Sequence, residues 1–542
     1  MLTLVTFVLF TALVAVLTWW ITRGKGTDTE DGFFLAGRSL TGIVIAGSLL
    51  LTNLSTEQLV GLNGGAFIDG LSVMAWEVIA GMSLVVLALF FLPRYLKSGI
   101  ATIPQFLEER YDAKVRALTT GIFVVAYMLI LLPFVLFSGA SALSYMLDLP
   151  GMLGLGETAV IWLVVGFIAI VGSAYAVFGG LRAVAVSDTF NGAGLLVGGL
   201  LMTYFSLEYA AGEGESIFGV FKEIKAENPD AFVSLGKEGE DVHWPTLFTG
   251  VLLLNFFYWC TNQQIIQRTF GAKNLAEGQK GVLLAAFFKI LAPIILILPG
   301  IVALHIAMEN PDFKAGIVKP NGDIEDQKVY GSLVRLVLPD ALTGFFAAVV
   351  VGSILSTFNS VLNSSATLFS LGVYKKTINK DATHAQVVKS GRWCSAIVAV
   401  FAAVSAPLIF MGIEGIFGYF QKLNGVYFIP LLGAILVGMF NKTADGRSAF
   451  ISIIVGLVIM ICGTFFGGDW ISNTFGSGYH FMGAVFGFLV VLQLLLGLVF
   501  KRKTRYVQAD AQAVDLTPWK PAPIVGAILI VSVLIIYLAL AK

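Results

Sequence analysis

The chain has 542 residues, of which 57% are hydrophobic and 13% charged, and its acidic and basic residues balance to a formal net charge of zero. Soluble domains carry about 25% charged residues, so this composition excludes a water-soluble protein and predicts one embedded in the lipid bilayer. A neutral chain gives no support for a nucleic-acid partner, and three cysteines within or beside apolar segments do not make a disulfide framework.

Apolar segments of about 20 residues, the length that crosses a bilayer, recur along the whole chain. They predict an all-α polytopic membrane protein with about 14 transmembrane helices, which we number as spans. Spans 1 to 14 are predicted near residues 2–21, 39–63, 70–93, 117–147, 158–178, 185–209, 245–268, 280–307, 341–373, 390–411, 415–440, 446–468, 479–500 and 522–541. Span 1 lacks a basic leading region and a convincing cleavage site, so we expect a retained helix rather than a signal peptide.

Basic residues are concentrated in the loops that follow odd-numbered spans, and the short loops after even-numbered spans have nearly none. Those after span 3, for example, are Arg94, Lys97, Arg110, Lys114 and Arg116. Because basic loops stay in the cytoplasm, we expect both termini outside the plasma membrane, or outside the inner membrane if the cell is bacterial. The two long polar loops, 210–244 and 309–340, are then extracellular.

Two spans contain polar runs that cannot face lipid. Span 2 has six polar side chains in the seven positions Thr52–Gln58, and span 7 has Asn255 and the run Tyr258–Gln264. Seven consecutive residues cover every face of a helix, so we predict that each span breaks there and lines a cavity. The alternative is that these polar side chains only join helices.

The five-span spacing of these runs predicts two inverted repeats, spans 2–6 and spans 7–11. The predicted organisation is a leading helix with its cytoplasmic loop at 1–38, a first repeat at 39–209, an extracellular loop at 210–244, a second repeat at 245–440 that includes the loop 309–340, and three C-terminal helices at 441–542.

Besides Glu57 in span 2, Glu77 in span 3 and Lys289 in span 8 form the only plausible buried acid–base pair. Leaving either unpaired in the membrane is costly, so we expect them to share a polar cavity. Together with Gln58, Asn255 and Gln421, they would line a neutral cavity rich in donors and acceptors. Such a cavity suits an uncharged polyhydroxylated solute, although a purely structural ion pair is the alternative.

Span 9 carries a set of hydroxyls at Ser353, Ser356 and Thr357, the first two being three residues apart on one helical face. Hydroxyls and unwound backbone carbonyls make a neutral oxygen cage, which suits a small monovalent cation that has shed its water. Simple packing of the hydroxyls between helices is the alternative.

Several longer stretches resemble a known family. They are Phe34–Ser39, Asn53–Gln58, Ala101–Arg110, Tyr175–Val184 with Asp188, Gln263–Arg268, Gly281–Lys289 and Ser356–Phe369. In this order they resemble the solute:sodium symporter family, specifically its sodium/glucose cotransporter branch, which includes the bacterial sodium/galactose symporter. The resemblance implies a LeuT-type fold of two inverted five-helix repeats plus four extra helices, one before and three after. It also implies co-transport of a sodium ion with a small neutral sugar.

The same resemblance implies roles for individual residues. Sodium would bind the backbone carbonyls of Leu51, Leu54 and Ser353 and the hydroxyls of Ser356 and Thr357. The sugar would contact Gln58, Glu77, Asn255, Lys289 and Gln421 and stack on Tyr258. The inner gate would be Tyr258 held by Asn53, the outer gate Trp76 with Phe417, and the sodium exit route would pass Asp188.

Three positions depart from the pattern of the galactose symporter. Ala80 stands where a serine contacts the sugar, Trp76 replaces a tyrosine, and Thr357 replaces a serine but keeps the hydroxyl. These departures leave the cation site intact and the identity of the sugar open.

The sequence therefore predicts a secondary active transporter that carries a hexose with sodium by alternating access. Inositol, sialic acid or another organic solute is the alternative cargo, and a channel or facilitator without sodium coupling is the alternative class. The chain has no Gly-x-x-x-x-Gly-Lys-Ser/Thr motif, so ATP is not expected as a partner. Its four histidines are scattered, so we expect no enzyme and no metal-ligand cluster.

Overall fold

The computed structural model describes residues 2–23, 29–212, 214–240, 242–319, 321–413 and 415–541. Side chains of residues 174–179, which include the start of the Tyr175–Val184 motif, lie outside the described residues. The secondary structure of the described residues consists of helices joined by loops, with no β-strands.

Each of the fourteen predicted spans coincides with helix. Their bounds are Leu2–Thr22 for span 1; Gly42–Asn53 and Thr56–Asp69 for span 2; Ala75–Val86, Leu87–Phe91 and Leu92–Ser98 for span 3; Ala113–Ala126, Tyr127–Leu131 and Leu132–Met146 for span 4; Glu157–Ala211 for spans 5 and 6; Gly250–Cys260 and Gln263–Phe270 for span 7; Leu275–Leu291, Pro293–Leu296 and Leu298–Glu309 for span 8; Asp340–Phe369 and Ser370–Ile378 for span 9; His384–Phe410, Ile416–Phe440, Gly446–Phe466, Gly478–Val499 and Ala522–Ala539 for spans 10 to 14.

Shorter helices lie in the loops and at the ends of spans. They are Glu30–Leu35, Ala36–Arg38, Gly70–Met74, Ile103–Arg110, Leu149–Leu153, Ile217–Glu227, Pro229–Phe232, Trp244–Phe248, Pro311–Ile317, Asp326–Val337 and Gly468–Phe475.

By length and composition, the described residues contain 10 helices able to cross a membrane, or 11 when span 8, bent by 45° at Pro293, is counted as one. This is fewer than the 14 predicted. Spans 2 and 7 are divided into helices of at most 14 residues, and spans 5 and 6 form one helical stretch, Glu157–Ala211, that bends at Gly180. The breaks predicted from the polar runs thus leave spans 2 and 7 in pieces that are too short to be recognised individually as membrane-crossing helices.

The break in span 2 lies at Leu54 and Ser55. Leu54 leaves the helical region (φ −72°, ψ 59°), and the Ser55 N–H donates to the Asn53 carbonyl at 2.7 Å. In an unbroken helix this N–H would donate to the Leu51 carbonyl. Likewise the Gln58 N–H donates to the Ser55 carbonyl at 3.0 Å and leaves the Leu54 carbonyl without its helical partner. The break therefore frees backbone oxygens from helical hydrogen bonding inside the helix bundle.

Loops after odd-numbered spans contact one another. Lys375, after span 9, pairs with Glu30, after span 1, at 2.7 Å, and Lys376 pairs with Glu108, after span 3, at 3.2 Å. On the other side of the bundle, the loop after span 6 contacts the end of span 14, since the Ser234 N–H donates to the Leu540 carbonyl at 2.7 Å. The alternation of loops predicted from the basic residues therefore agrees with the folded structure, while the assignment of the basic side to the cytoplasm stays a prediction.

The helices differ in how much of their surface the protein covers. In the most apolar 18 residues of spans 1 and 14, 11% and 22% of positions are buried, against 72% in span 9 and 83% in span 11. Spans 1 and 14 therefore lie at the lipid-facing periphery, and the broken spans pack inside the bundle.

Candidate functional site: a closed central cavity

A cavity of about 30 Å³ lies between the two broken spans and spans 3, 4 and 11. Its lining residues are Asn53, Glu57, Gln58, Trp76, Glu77, Leu131, Leu254, Asn255, Tyr258, Trp259, Phe420, Gln421, Asn424 and Phe428. A buried water needs about 10–15 Å³ on this measure, so the cavity has room for about two waters. Binding a monosaccharide therefore requires the surrounding side chains to move apart.

Four of the predicted sugar contacts, Gln58, Glu77, Asn255 and Gln421, meet in this lining, and the fifth, Lys289, lies behind it. Lys289 Nζ is 2.5 Å from Glu77 Oε2, and both side chains are almost fully buried. The ammonium also donates to Asn53 Oδ1. The predicted acid–base pair thus exists, and Lys289 acts on the cavity by holding Glu77 and Asn53.

The remaining polar groups offer both donors and acceptors. The Gln58 Oε1 atom is buried and has no hydrogen-bond partner within the described part of the chain. Asn424 Nδ2 donates to Gln421 Oε1 at 3.1 Å, and Asn255 Nδ2 donates to the Val251 carbonyl at 3.1 Å. Asn424 was missing from the sequence prediction, although its position three residues after Gln421 places it on the same helical face.

Aromatic rings close the cavity on the side predicted to be outside. The Trp76 and Phe417 ring centroids are 5.8 Å apart in an edge-to-face arrangement, and Tyr479 lies 5.8 Å from Trp76 on another side. The two residues predicted as an outer gate are therefore in contact, while their gating role stays a prediction.

On the opposite side the Tyr258 hydroxyl accepts a hydrogen bond from Gln264 Nε2 at 3.4 Å. Asn53, predicted to hold Tyr258, also faces this hydroxyl, but its side-chain oxygen accepts from Lys289. Tyr127 strengthens this side, because its hydroxyl donates to Asn262 Oδ1 at 2.5 Å and accepts from the Gln264 N–H at 3.0 Å. Sequence reasoning missed Tyr127, since nothing in its own span marks it as polar.

Two glycines, one turn apart on span 2, permit the outer side to close. A Cβ added at Gly61 would lie 2.9 Å from Phe417 Cβ, and one added at Gly64 would lie 2.5 Å from the backbone oxygen of Asp326. A Cβ at Gly65 would be 3.3 Å from Val73 Cγ1, a smaller overlap than at the other two glycines.

We expect Gly61→Ala and Gly64→Ala to slow transport by about 10-fold or more, because overpacking of about 1–3 kcal/mol then opposes closure. The measurement is initial uptake rate together with equilibrium solute binding. Binding should survive in both variants, and Gly65→Ala is the control with a small effect. Uptake by both variants at the rate of Gly65→Ala would contradict the requirement for close approach.

The predicted cation ligands meet where span 2 breaks against span 9. Ser353 Oγ donates to the Leu54 carbonyl at 3.0 Å, and Thr357 Oγ1 donates to the Thr52 carbonyl at 2.9 Å. Leu51 and Leu54 are buried, and Ser356 Oγ is buried and faces the Asp188 carboxylate. These hydroxyls and backbone carbonyls, which are hydrogen-bonded to each other across the break, are neutral oxygens. The same oxygens can coordinate a cation instead. The Thr52 carbonyl, which accepts from Thr357, is not among the predicted ligands.

Asp188 is linked to this region through Arg268. The two are each 1% exposed and lie 3.7 Å apart, and Ser48 Oγ donates to Asp188 Oδ2 at 2.6 Å. Arg268 also donates to Ser360 Oγ, and Ser360 Oγ donates to the Ser356 carbonyl at 2.5 Å. The structure therefore places Asp188 beside the hydroxyls of span 9, and its part in sodium exit stays a prediction.

Two broken helices that enclose a polar cavity beside freed carbonyls and hydroxyls define a secondary transporter. The chain belongs to the sodium:solute symporter family, whose model matches residues 33–456. Sodium is therefore the co-transported ion, and the protein is a transporter rather than an enzyme.

Curated relatives agree with the family. The chain is 42% identical to an "uncharacterized symporter YidK" of Escherichia coli K12, over 99% of this chain and 91% of that protein. It is 31% identical to a sodium/glucose cotransporter of Vibrio parahaemolyticus, over 83% of each chain. A sodium/myo-inositol cotransporter of mouse is 28% identical over 83% of this chain and 65% of its own length.

Solved structures confirm the fold. A sodium-coupled sialic acid symporter, described in a substrate-bound outward-open state, matches with a TM-score of 0.75 and 18% identity, over 93% of this chain and 99% of its own. A nucleobase-cation symporter in a closed conformation matches with a TM-score of 0.52 and 15% identity, over 89% and 98%. The predicted LeuT-type fold is confirmed, and the residue bounds of its two repeats stay a prediction.

Proposed function

We propose that this symporter carries a neutral hexose with sodium, binding the sugar in the central cavity. The observation that carries the proposal is the Glu77–Lys289 pair, which brings an acceptor to the cavity wall without adding net charge. Gln58, Asn255 and Gln421 add amides, each of which both donates and accepts. A site with both kinds of group, which also includes the Glu57 carboxyl that accepts from Ser55, matches a ring of hydroxyls, each also a donor and an acceptor.

The coupling follows from where the cation ligands lie. A sodium ion between the carbonyls of Leu51, Leu54 and Ser353 and the hydroxyls of Ser356 and Thr357 would join the break in span 2 to span 9. Asn53 and Gln58 flank that break and line the cavity, so the ion would fix two sugar-facing side chains. Sodium would thereby raise the affinity of the site for sugar in the state open to the outside.

Alternating access would then use the two closures in turn. The sugar enters while Trp76 and Phe417 are apart, and they close over it before the Tyr258 side opens. In this scheme the five-span repeats at 39–209 and 245–440 move relative to each other, and sodium leaves past Asp188. One positive charge entering across 100 mV contributes about 2.3 kcal/mol, which is enough to concentrate a neutral solute.

The choice of hexose is affected by Ala80, which is fully buried on span 3. The methyl group removes a hydroxyl expected at this position in a galactose transporter. We therefore propose that another hexose, such as glucose or mannose, is preferred to galactose.

We expect neutral hexoses to compete for uptake, their deoxy analogues to compete much more weakly, and proline not to compete. A buried polar group left unpaired by a missing hydroxyl costs about 1–3 kcal/mol, which is about 5- to 150-fold in affinity. The measurement is sodium-driven uptake of a labelled hexose in vesicles against a panel of hexoses, deoxyhexoses, inositol, sialic acid and proline. Competition by inositol or sialic acid, and by no hexose, would replace the sugar proposal and leave the sodium symporter standing.

A further inference from the structure

Two of the four histidines, which are scattered along the sequence, lie side by side in the fold. His243 is near the end of the loop 210–244, which is predicted to be extracellular, and His480 is in the first turn of span 13. Their ring centroids are 5.8 Å apart, and the rings are nearly perpendicular at 79°. Both residues are partly exposed, so an ion on the side predicted to be outside can reach them.

The two rings are held together by close packing between the start of span 7 and the start of span 13. Span 7 begins at Gly250, where an added Cβ would lie 2.7 Å from Tyr479 Cα. A Cβ added at Gly483 would lie 2.9 Å from Thr249 Cβ. The two segments therefore touch directly on either side of the histidine pair.

A hydrogen bond to Thr249 determines which nitrogen of His480 is available. The Thr249 hydroxyl donates to the Thr246 carbonyl at 3.3 Å, and its oxygen is 3.0 Å from His480 Nδ1. Because the hydroxyl hydrogen is already donated, Nδ1 carries the ring hydrogen and donates to Thr249 Oγ1. The neutral ring then presents a lone pair at Nε2. Histidines that bind metals are oriented by a hydrogen bond of this kind from the other ring nitrogen.

The separation of the rings suits one shared metal ion. A neutral His243 ring also has one unprotonated nitrogen, and imidazole nitrogens are good ligands for Zn²⁺. With Zn–N distances of about 2.0–2.1 Å, a shared ion would keep the two centroids about 5–6 Å apart, as they are here. The described residues contain no group of three or more His, Cys, Asp or Glu able to hold a metal. Water would therefore complete the coordination, and the ion would exchange with the medium.

The loop that carries His243 attracts cations. The seven residues before it contain three acids, Glu238, Glu240 and Asp241, and one base, Lys237. An excess of negative charge raises the local concentration of cations beside a site that has only neutral ligands.

The histidine pair is also close to the predicted outer gate. Tyr479, next to His480 in sequence, has its ring centroid 5.8 Å from that of Trp76, and Trp76 contacts Phe417. An ion bound by both histidines would tie the loop before span 7 to span 13 and keep Tyr479 against Trp76.

We propose that His243 and His480 form a binding site for a divalent transition-metal ion, with Zn²⁺ as the probe, and that the bound ion slows transport by holding the outer side closed. The site does not depend on which solute the protein carries.

The first test is equilibrium binding of Zn²⁺ to the purified full-length protein. Both histidines are partly exposed, so their replacement leaves the fold intact. His243→Ala and His480→Ala should each weaken zinc binding by more than 10-fold, because loss of even an indirect partner costs about 10- to 100-fold. Thr249→Val, which removes the oxygen that orients His480, should weaken it by about 10-fold. His243→Cys supplies another zinc ligand and should retain binding.

His305→Gln is the matched control. His305 lies at the outer end of span 8, 3.1 Å from Glu227 and 3.8 Å from Glu309, so it is the other place on this side where zinc could bind a histidine. The variant should bind zinc as wild type does. Zinc binding that is lost in His305→Gln but kept in His243→Ala and His480→Ala would overturn the proposal, and so would equal binding by all variants.

The second test is the effect of external Zn²⁺ on the initial rate of sodium-driven hexose uptake in proteoliposomes. Zinc should slow uptake by wild type, a chelator should restore it, and the rate of His480→Ala should not respond. Zinc that binds at the pair without slowing uptake would overturn the link to the outer gate. Because zinc binding is measured without solute, a protein that binds zinc but takes up no hexose would contradict the hexose proposal and leave the metal site standing.

Discussion

Glu77→Ala and Lys289→Ala are each expected to abolish hexose transport. Removing one member of a buried ion pair leaves an uncompensated charge, which costs about 3–5 kcal/mol. Each substitution would also disturb the cavity itself, because Glu77 lines the cavity and Lys289 holds the lining residue Asn53. The measurements are uptake, sodium-dependent sugar binding and the thermal unfolding midpoint of each purified variant.

The double variant Glu77→Ala with Lys289→Ala separates a transport role from a structural one. Removing both charges leaves neither member of the pair uncompensated, and Glu57, on which Lys289 also acts, keeps its hydrogen bond from Ser55. The unfolding midpoint should therefore recover toward that of wild type. Transport should remain absent, because the acceptor in the cavity wall is still missing. Recovery of uptake together with stability would show that the pair only holds helices together and would remove Glu77 from the sugar site.

Thr357→Val is expected to raise the sodium concentration for half-maximal uptake by about 10-fold or more. Loss of even an indirect partner of a metal ligand costs about 10- to 100-fold in affinity, and valine removes a proposed direct ligand while keeping the shape. Thr357→Ser keeps the hydroxyl and is the matched control with near-normal sodium dependence. Ser356→Ala, like Thr357→Val, should raise the sodium concentration for half-maximal uptake.

Sugar uptake at saturating sodium should survive in the Thr357 variants, which shows that the protein still folds. Equal sodium dependence of Thr357→Val and Thr357→Ser would place the hydroxyl outside the cation site. If Ser356→Ala also showed wild-type sodium dependence, both side-chain oxygens would leave the proposed ligand set, and only backbone carbonyls would remain in it.

Much of the fold followed from the cost of polar groups in lipid. Six polar side chains in the run Thr52–Gln58 predicted a break in span 2, and the structure breaks at Leu54 and Ser55. The acid–base pair followed from the same argument, because a lone charge in a span is too costly to leave unpaired. Such reasoning works where exposing a polar or charged group to lipid costs so much free energy that few arrangements of the helices avoid it.

Other contacts could not be predicted because they depend on side-chain directions between distant helices. Lys289 points at Glu77 and Asn53 from behind the cavity, and sequence alone cannot distinguish this position from one that faces the solute. Arg268 was part of a recognised motif, but its pairing with Asp188 joins positions 80 residues apart. Tyr127 lies in an apolar segment, and only the fold brings its hydroxyl to span 7.

The central claim is tested most directly by loading purified protein into proteoliposomes and imposing an inward sodium gradient with labelled glucose or mannose outside. We predict accumulation of the hexose above its external concentration, loss of that accumulation when potassium replaces sodium or a sodium ionophore is added, and no accumulation with Glu77→Ala. Equal hexose entry with and without sodium, stopping at the external concentration, would indicate a facilitator and would contradict the account.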